Sequence, residues 1–383
     1  MKIGVLTFHR SENYGAYLQA YSLVMALRKN FPDSKIELID YDSAAAQKYY
    51  FKLILKQGRK GGFLYYYKRH KAFANAIKNL PLSAKHCITE DMEKFKSFLY
   101  GKYDVVICGS DQIWKVDSFR GFPNAYWLPG DFGCRKLSYA ASSRSKLSKI
   151  NEETKKKLLH LLEDFYYIGV RDSISKNEIE KLSRKLKVEK NCDPTFLYEF
   201  GFTKGNSRQT VKKIYGIDNE FPNVGIMTKN EAIIKALNEV FANKVNIISI
   251  DIPHKGTYCN PSINPFEFAE IICGLDAMVT SFFHGLCFAL KGNTFVCALE
   301  EKKSESRETS KILDLMDAIG CTENYYSQNM EDYAEIIARR VYTFIEKNES
   351  VDNSAIIQKL QETSKNFLAK IECLNGEVNY EKS

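Results

Sequence analysis

His284 is the residue best placed for chemistry. It opens the apolar stretch Gly285-Leu286-Cys287-Phe288-Ala289-Leu290, directly behind the strand-like run Ala277-Met278-Val279-Thr280 and the step Ser281-Phe282-Phe283. An imidazole on the first turn of a helix, at the end of a strand, can donate a proton or meet a phosphate. The competing reading is a satisfied core histidine. A second constellation is Val105-Val106-Ile107-Cys108-Gly109-Ser110-Asp111-Gln112-Ile113-Trp114, an apolar strand ending in a Gly-Ser-Asp turn. Gly109 permits close backbone approach, Ser110 and Asp111 suit the cap of a following helix, and Trp114 offers either a flat face for a sugar ring or a core plug. In Tyr167-Ile168-Gly169-Val170-Arg171-Asp172-Ser173 an arginine follows the last strand residue. Its guanidinium is a fork for carboxylate or phosphate, or a partner for Asp172 or Asp193.

The elements that must position these groups begin at the first residues. Lys2 to Thr7 reads as a buried parallel strand, Phe8 to Asn13 as its carboxyl-end loop and Tyr14 to Leu23 as a tightly packed helix. The first helical amides are expected to be free, and with the helix dipole they favour an anion beside His9, Arg10 and Asn13. A plain strand-to-helix connection would look the same.

Strand and helix signals then alternate. Strands are expected at Ile36–Ile39, Val105–Cys108, Leu137–Ala141 and Tyr167–Val170, with helices at Ser43–Ile54, Leu64–Ile77, Glu93–Leu99, Glu152–Phe165 and Ile174–Leu186. The pattern breaks near Cys192-Asp193-Pro194-Thr195, and polar Gly201–Arg208 reads as an interdomain linker. A second series follows, with strands at Val224–Thr228, Val245–Ile250, Ala277–Thr280 and Thr294–Leu299. Helices at Glu231–Asn243, Pro265–Gly274, His284–Lys291, Ser306–Ile319 and Met330–Glu346 separate them. The fold class is therefore α/β, with two Rossmann-like doubly wound domains: residues 1–200, residues 201–348, and a segment 349–383 whose helix returns to the first domain. Ligands are expected in a crevice at the carboxyl ends of the strands.

Composition narrows the class. With 383 residues, 44% hydrophobic and 27% charged, the chain suits a soluble globular protein. No run of 18 apolar residues exists, and Met1 leads into the first strand without a signal-peptide pattern, so a cytoplasmic location is expected. The ten cysteines show no CxxC or paired Cys/His spacing; Cys108, Cys273, Cys287 and Cys297 sit in apolar runs and read as buried thiols rather than metal ligands. The net charge of +8 comes partly from two runs. Lys146–Lys157, with Lys136 and Arg144 upstream, reads as a solvated helix face. Residues 51–71 interleave aromatics with lysine and arginine, as in a helix resting on anionic lipid headgroups; a partner surface or a core stripe with exposed lysines are the alternatives. No nucleic-acid recognition signature appears.

The chain resembles the polysaccharide pyruvyl transferase family over nearly its whole length. The resemblance rests on His9-Arg10 to Gln19, Gly109-Ser110-Asp111-Gln112-Ile113-Trp114, Ser138-Tyr139-Ala140-Ala141-Ser142, Val170-Arg171-Asp172-Ser173, Asp193-Pro194-Thr195 and Phe283-His284-Gly285. It implies a fold similar to the GT-B glycosyltransferases and transfer of a pyruvyl group from phosphoenolpyruvate to a sugar, usually as a cyclic ketal, with no metal and no further cofactor. On this resemblance Arg171 and His284 are a donor-binding pair from opposite domains, facing each other across the crevice. His284 then serves as acid or as a cation for the departing phosphate, and Asp111 orients or deprotonates an acceptor hydroxyl. Arg10, Asn13, Ser110, Trp114, Ser142, Ser281 and Gly285 complete the expected substrate contacts. Two departures stand out. Relatives often carry an arginine or an Asp-Ser pair where this chain has Ser281-Phe282, a loss that Lys229, Arg307 or Arg10 would have to make good. They often carry Phe-Gly where it has Ser143-Arg144. An undecaprenyl-linked oligosaccharide is the expected acceptor, reached at the inner membrane face. A sugar-nucleotide glycosyltransferase and a non-catalytic sugar or phosphate binder are the competing functions.

Overall fold

The computed structural model describes residues 1–57, 62–143, 146–301 and 310–381. Arg144, Arg307, the first residues of the helix expected from Ser306, and positions 58–61 of the basic aromatic run lie outside them. The chain divides into two units, Met1–Tyr198 with Lys359–Ser383, and Glu199–Gln358.

The first unit contains β1 (Lys2–Leu6), α1 (Tyr14–Asn30), β2 (Lys35–Leu38), β3 (Tyr41–Asp42), α2 (Ala44–Gln57), α3 (Phe63–Ile77), β4 (Cys87–Ile88), α4 (Met92–Leu99), β5 (Val105–Cys108), β6 (Arg135–Ala141), α5 (Glu152–Glu163), β7 (Phe165–Val170), α6 (Ser173–Leu182) and β8 (Val188–Lys190). Six of these strands form one parallel sheet in the order β2-β1-β5-β6-β7-β8. Strands β1 and β5 are wholly buried apart from Lys2, as expected of apolar runs covered on both faces. The strand order reverses between β1 and β5, so their carboxyl ends open the crevice in which such sheets bind ligands.

The second unit contains α7 (Lys204–Tyr215), β9 (Asn223–Met227), α8 (Glu231–Val240), β10 (Asn246–Ser249), α9 (Pro265–Gly274), β11 (Ala277–Thr280), α10 (Phe283–Lys291), β12 (Phe295–Glu300), α11 (Lys311–Ala318), β13 (Tyr325–Ser327) and α12 (Tyr333–Glu346). Its parallel sheet has the order β10-β9-β11-β12-β13, which reverses between β9 and β11. Helix α13 (Ser354–Glu362) leads to α14 (Lys365–Glu381), and the latter belongs to the first unit. There Phe367 packs against Tyr139 and Tyr167, and Ser364 hydrogen-bonds Tyr139.

Three expectations are corrected. Residues 349–358 belong to the second unit, so the returning segment starts at Lys359 rather than at 349. The expected linker Gly201–Arg208 is largely the first part of α7, which buries only Ser207 and Val211 and therefore looks like a polar tract. The single helix expected within 349–383 is two helices, broken at Thr363–Ser364.

Candidate functional site

In the first unit, Gln19 of α1 ties the two crevice strands together. Its Nε2 donates to Thr7 Oγ1 (2.9 Å), its Oε1 accepts from the Ser110 amide (3.2 Å), and Thr7 Oγ1 donates to the Ser110 carbonyl (3.1 Å). Beside this tie, Arg10 is already occupied. Its Nε and Nη2 bind Asp40 at 2.6 and 2.7 Å, and buried His9 bridges the Thr7 carbonyl (3.0 Å) and Asp40 (3.3 Å). Burial would raise the Asp40 pKa, but the hydrogen bonds from His9 and Arg10 outweigh it and hold the carboxyl well below the usual carboxylate range. Asn13 is an N-cap whose side chain accepts from the Ala16 amide at 3.0 Å. The first turn of α1 is therefore not the free set of amides expected from the sequence, and the Asn13 oxygen is spent on its own helix.

At the end of β5, Gly109 has φ +129°, and a Cβ there would stand 2.0 Å from the Tyr139 carbonyl oxygen, so only glycine fits. Asp111 follows with φ 74°, a conformation its short polar side chain tolerates. No helix follows the turn. The chain instead stays irregular to Asn124, with Trp114 fully buried, stacked on Trp127 at 5.2 Å and donating from Nε1 to the Tyr126 carbonyl. This overturns the sugar-platform role: Trp114 is the core plug. Ser110 is also fully buried, and its hydroxyl has no hydrogen-bond partner among the described residues.

Arg171 lies behind Asp111. Its Nη1 binds Asp193 at 2.9 Å and its Nη2 approaches Asp111 at 3.5 Å. Burial disfavours the charge, yet Asp193, Asp111 and Asp172 together raise the arginine pKa further. The guanidinium side chain is 2% exposed and the Asp111 side chain 18%, so the carboxylate is the group presented outward. Ser142 donates to Asp172 Oδ2 at 2.6 Å, and Asp172 caps α6 through Ser175. Ser142, expected to touch substrate, is 2% exposed and instead holds that cap.

The second unit builds its site at the β9/β11 reversal. The Ser281 amide continues the ladder to the Met227 carbonyl, and Thr280 Oγ1 both donates to the Phe282 carbonyl and accepts the Phe282 amide. Helix α10 starts after Phe282, which supplies no side-chain cap. His284, 9% exposed, occupies the second helical position. Gly285 is the third: a Cβ there would sit 2.5 Å from Thr280 Oγ1, so its glycine lets the helix ride directly on β11. Gly285 thus presents backbone rather than a side-chain surface at this turn. Lys311 Nζ stands 5.3 Å from the centre of the Phe283 ring, placing a cation at this first turn. Sequence reasoning missed Lys311, and also Asp40; neither lies in a motif. Lys229 lies exposed after β9, while Arg10 is held by Asp40 in the other unit.

Among the described residues no cluster of three or more His, Cys, Asp or Glu side chains could hold a metal ion. All ten cysteines are free thiols, with Cys108, Cys273, Cys287 and Cys297 buried.

No curated protein is detectably similar to the chain in sequence. Among solved structures, UDP-GlcNAc 2-epimerase from Methanocaldococcus jannaschii shares 11% identity, with a TM-score of 0.55 over 97% of this chain and 99% of that one. The Neisseria meningitidis UDP-GlcNAc 2-epimerase bound to UDP-GlcNAc shares 10% identity, with a TM-score of 0.52 over 97% and 99%. At such identity the likeness speaks for the fold alone, a GT-B-like pair of parallel-sheet domains. The family model for polysaccharide pyruvyl transferase matches residues 13–302. That span runs from the cap of α1 to just past β12 and takes in the Gly-Ser-Asp turn, Arg171 and His284, so the chain belongs to the polysaccharide pyruvyl transferase family.

Proposed function

We propose that the protein moves the pyruvyl group of phosphoenolpyruvate onto a sugar of a cell-surface polysaccharide precursor and closes a cyclic ketal. The observation that carries this reading is His284 at the second position of α10, directly behind the carboxyl end of β11 where the strand order reverses, inside a chain of the pyruvyl transferase family. The positive end of the α10 dipole and the Lys311 ammonium suit the phosphate of the donor.

The chemistry asks for one acid, one base and a phosphate clamp. Protonation of the methylene carbon makes C2 electrophilic, and a sugar hydroxyl adds there as its proton leaves. The C2–O bond to phosphate breaks, a second hydroxyl closes the ring, and the two hydroxyl protons are accounted for by the new methyl group and the released phosphate. His284 supplies the proton or the positive charge on the departing phosphate. Asp111, the outward carboxylate, orients and deprotonates the acceptor hydroxyl, and Arg171 holds it in place.

The test incubates the protein with phosphoenolpyruvate labelled at C2 and a lipid-linked oligosaccharide, with a nucleotide sugar as the control donor. Label transfer with phosphate release, lost in His284→Asn while the unfolding midpoint is unchanged, is the expected result. Transfer from the nucleotide sugar instead, or full activity in His284→Asn, overturns it.

A further inference from the structure

Between Asp42 and Glu90 the sequence carries ten lysines and arginines and no acidic residue, leaving forty-five bases against forty-seven acids in the rest of the chain. The whole positive excess of the protein therefore resides in one segment, which in the first unit forms α2 and α3. Helix α3 is anchored at one face only. Arg69, Phe73 and Ala76 are buried, Tyr17 donates to the Ala76 carbonyl, and Arg69 lies over Tyr14 while donating to the Glu12 carbonyl.

The outward faces are unusual. Lys48, Phe51, Lys52 and Leu55 follow the i, i+3, i+4, i+7 spacing along α2, and Leu64, Tyr67, Lys68 and Lys71 repeat it along α3; all eight are exposed. Apolar residues at that spacing ordinarily turn toward a core. Here they turn to solvent, with Phe63 67% and Phe51 63% exposed. Phe119, also exposed, stacks on Tyr49 at 4.6 Å and carries Arg120 above its ring. Aromatic and aliphatic groups set among cations, on two helices that themselves carry no acid, match the boundary layer of an anionic bilayer, where rings and stems enter the acyl edge and ammonium groups stay among headgroup phosphates. A second copy of the chain is a poor occupant, because a symmetric contact would set the same cationic faces against each other. Among the described residues no helix is long and apolar enough to cross a membrane, so the contact is with the surface.

We infer that the exposed faces of α2 and α3 dock the protein on an anionic lipid surface. This rests on no assignment of the reaction, so its failure leaves the pyruvyl chemistry standing. The test is co-sedimentation of the full chain with vesicles of phosphatidylcholine, alone or with roughly a third phosphatidylglycerol. Binding is expected only to the anionic vesicles and weakens as salt rises. Each lysine near such a surface is worth about fivefold in partitioning, so Lys48→Gln/Lys52→Gln/Lys68→Gln/Lys71→Gln lowers it by about six-hundredfold. Phe51→Ser/Phe63→Ser/Leu64→Ser, made at exposed positions and checked for an unchanged unfolding midpoint, lowers it as well. Equal recovery with both vesicle types, or unchanged binding in both variants, overturns the inference. So does loss of dimerisation in the apolar variant without loss of lipid binding, or binding of a single-stranded oligonucleotide in place of vesicles.

Discussion

Replacing Gly285 by alanine puts a methyl group 2.5 Å from Thr280 Oγ1 and 3.0 Å from both Met227 Sδ and Met278 Cε. The methionine ends can swing aside at small cost. Thr280 cannot, being β-branched and bonded through Oγ1 to both the amide and the carbonyl of Phe282. Overpacking of this kind costs about 1–3 kcal/mol. Alanine recovers at most about 1 kcal/mol of helix propensity over glycine, so Gly285→Ala is expected to destabilise by about 1–2 kcal/mol. Relief by displacement would lift α10 from β11 and carry His284 with it, so phosphate should raise the unfolding midpoint less than in the parent protein. Thr280→Ala removes the obstructing oxygen, and the double variant should therefore be more stable than the sum of the single effects by about 1 kcal/mol. The assay is urea unfolding followed by far-ultraviolet circular dichroism, read as midpoints because two units need not unfold together. A Gly285→Ala protein as stable as the parent, or strict additivity in the double variant, would refute the close-packing argument.

Asp40→Asn should destabilise by about 1–3 kcal/mol at neutral pH, because it deprives Arg10 and His9 of their shared carboxylate. Since the folded pKa of Asp40 is depressed, that difference should be complete above the unfolded value of about 4 and shrink as pH falls toward the folded one; a pH-independent difference in unfolding midpoint would contradict it. Arg171→Met leaves the buried Asp193 carboxylate without its cation and should cost about 3–5 kcal/mol, partly restored in Arg171→Met/Asp193→Asn. Trp114→Phe loses the bond to the Tyr126 carbonyl and should cost about 1–3 kcal/mol in urea unfolding while leaving the acceptor KM unchanged. A raised KM with unaltered stability would revive the sugar platform.

The sheets were legible because their strands are short apolar runs bounded by polar loops: Val105–Cys108 and Ala277–Thr280 could be read to the residue. Strands β8 and β13 were not read, since three residues at a sheet edge leave no period to count. Helix α7 reads as a linker in the sequence because it covers its unit with only two buried residues. For the site, position was easier to read than commitment. Asn13 before a helix carries an ordinary cap signature, yet its place beside His9 and Arg10 invited a ligand role. Ser142 and Trp114 stand in motifs whose neighbours consume them, and that consumption exists only in three dimensions: Asp172 lies thirty residues from Ser142, and Trp127 comes from beyond the irregular segment. Asp40 is an unremarkable acid after a strand until β2 comes to lie beside β1.

Helix α14 gives the order of synthesis a physical meaning. The second unit is one continuous stretch inserted into the first, whose wall around Tyr139 is completed by Ser364 and Phe367. On the ribosome the inserted unit has all its residues before the outer one does, and the outer sheet must wait with Tyr139 and Tyr167 uncovered until residues 359–381 emerge. Fragment design follows the same logic: residues 199–358 form a natural excision, whereas a cut after Tyr198 leaves an unfinished half.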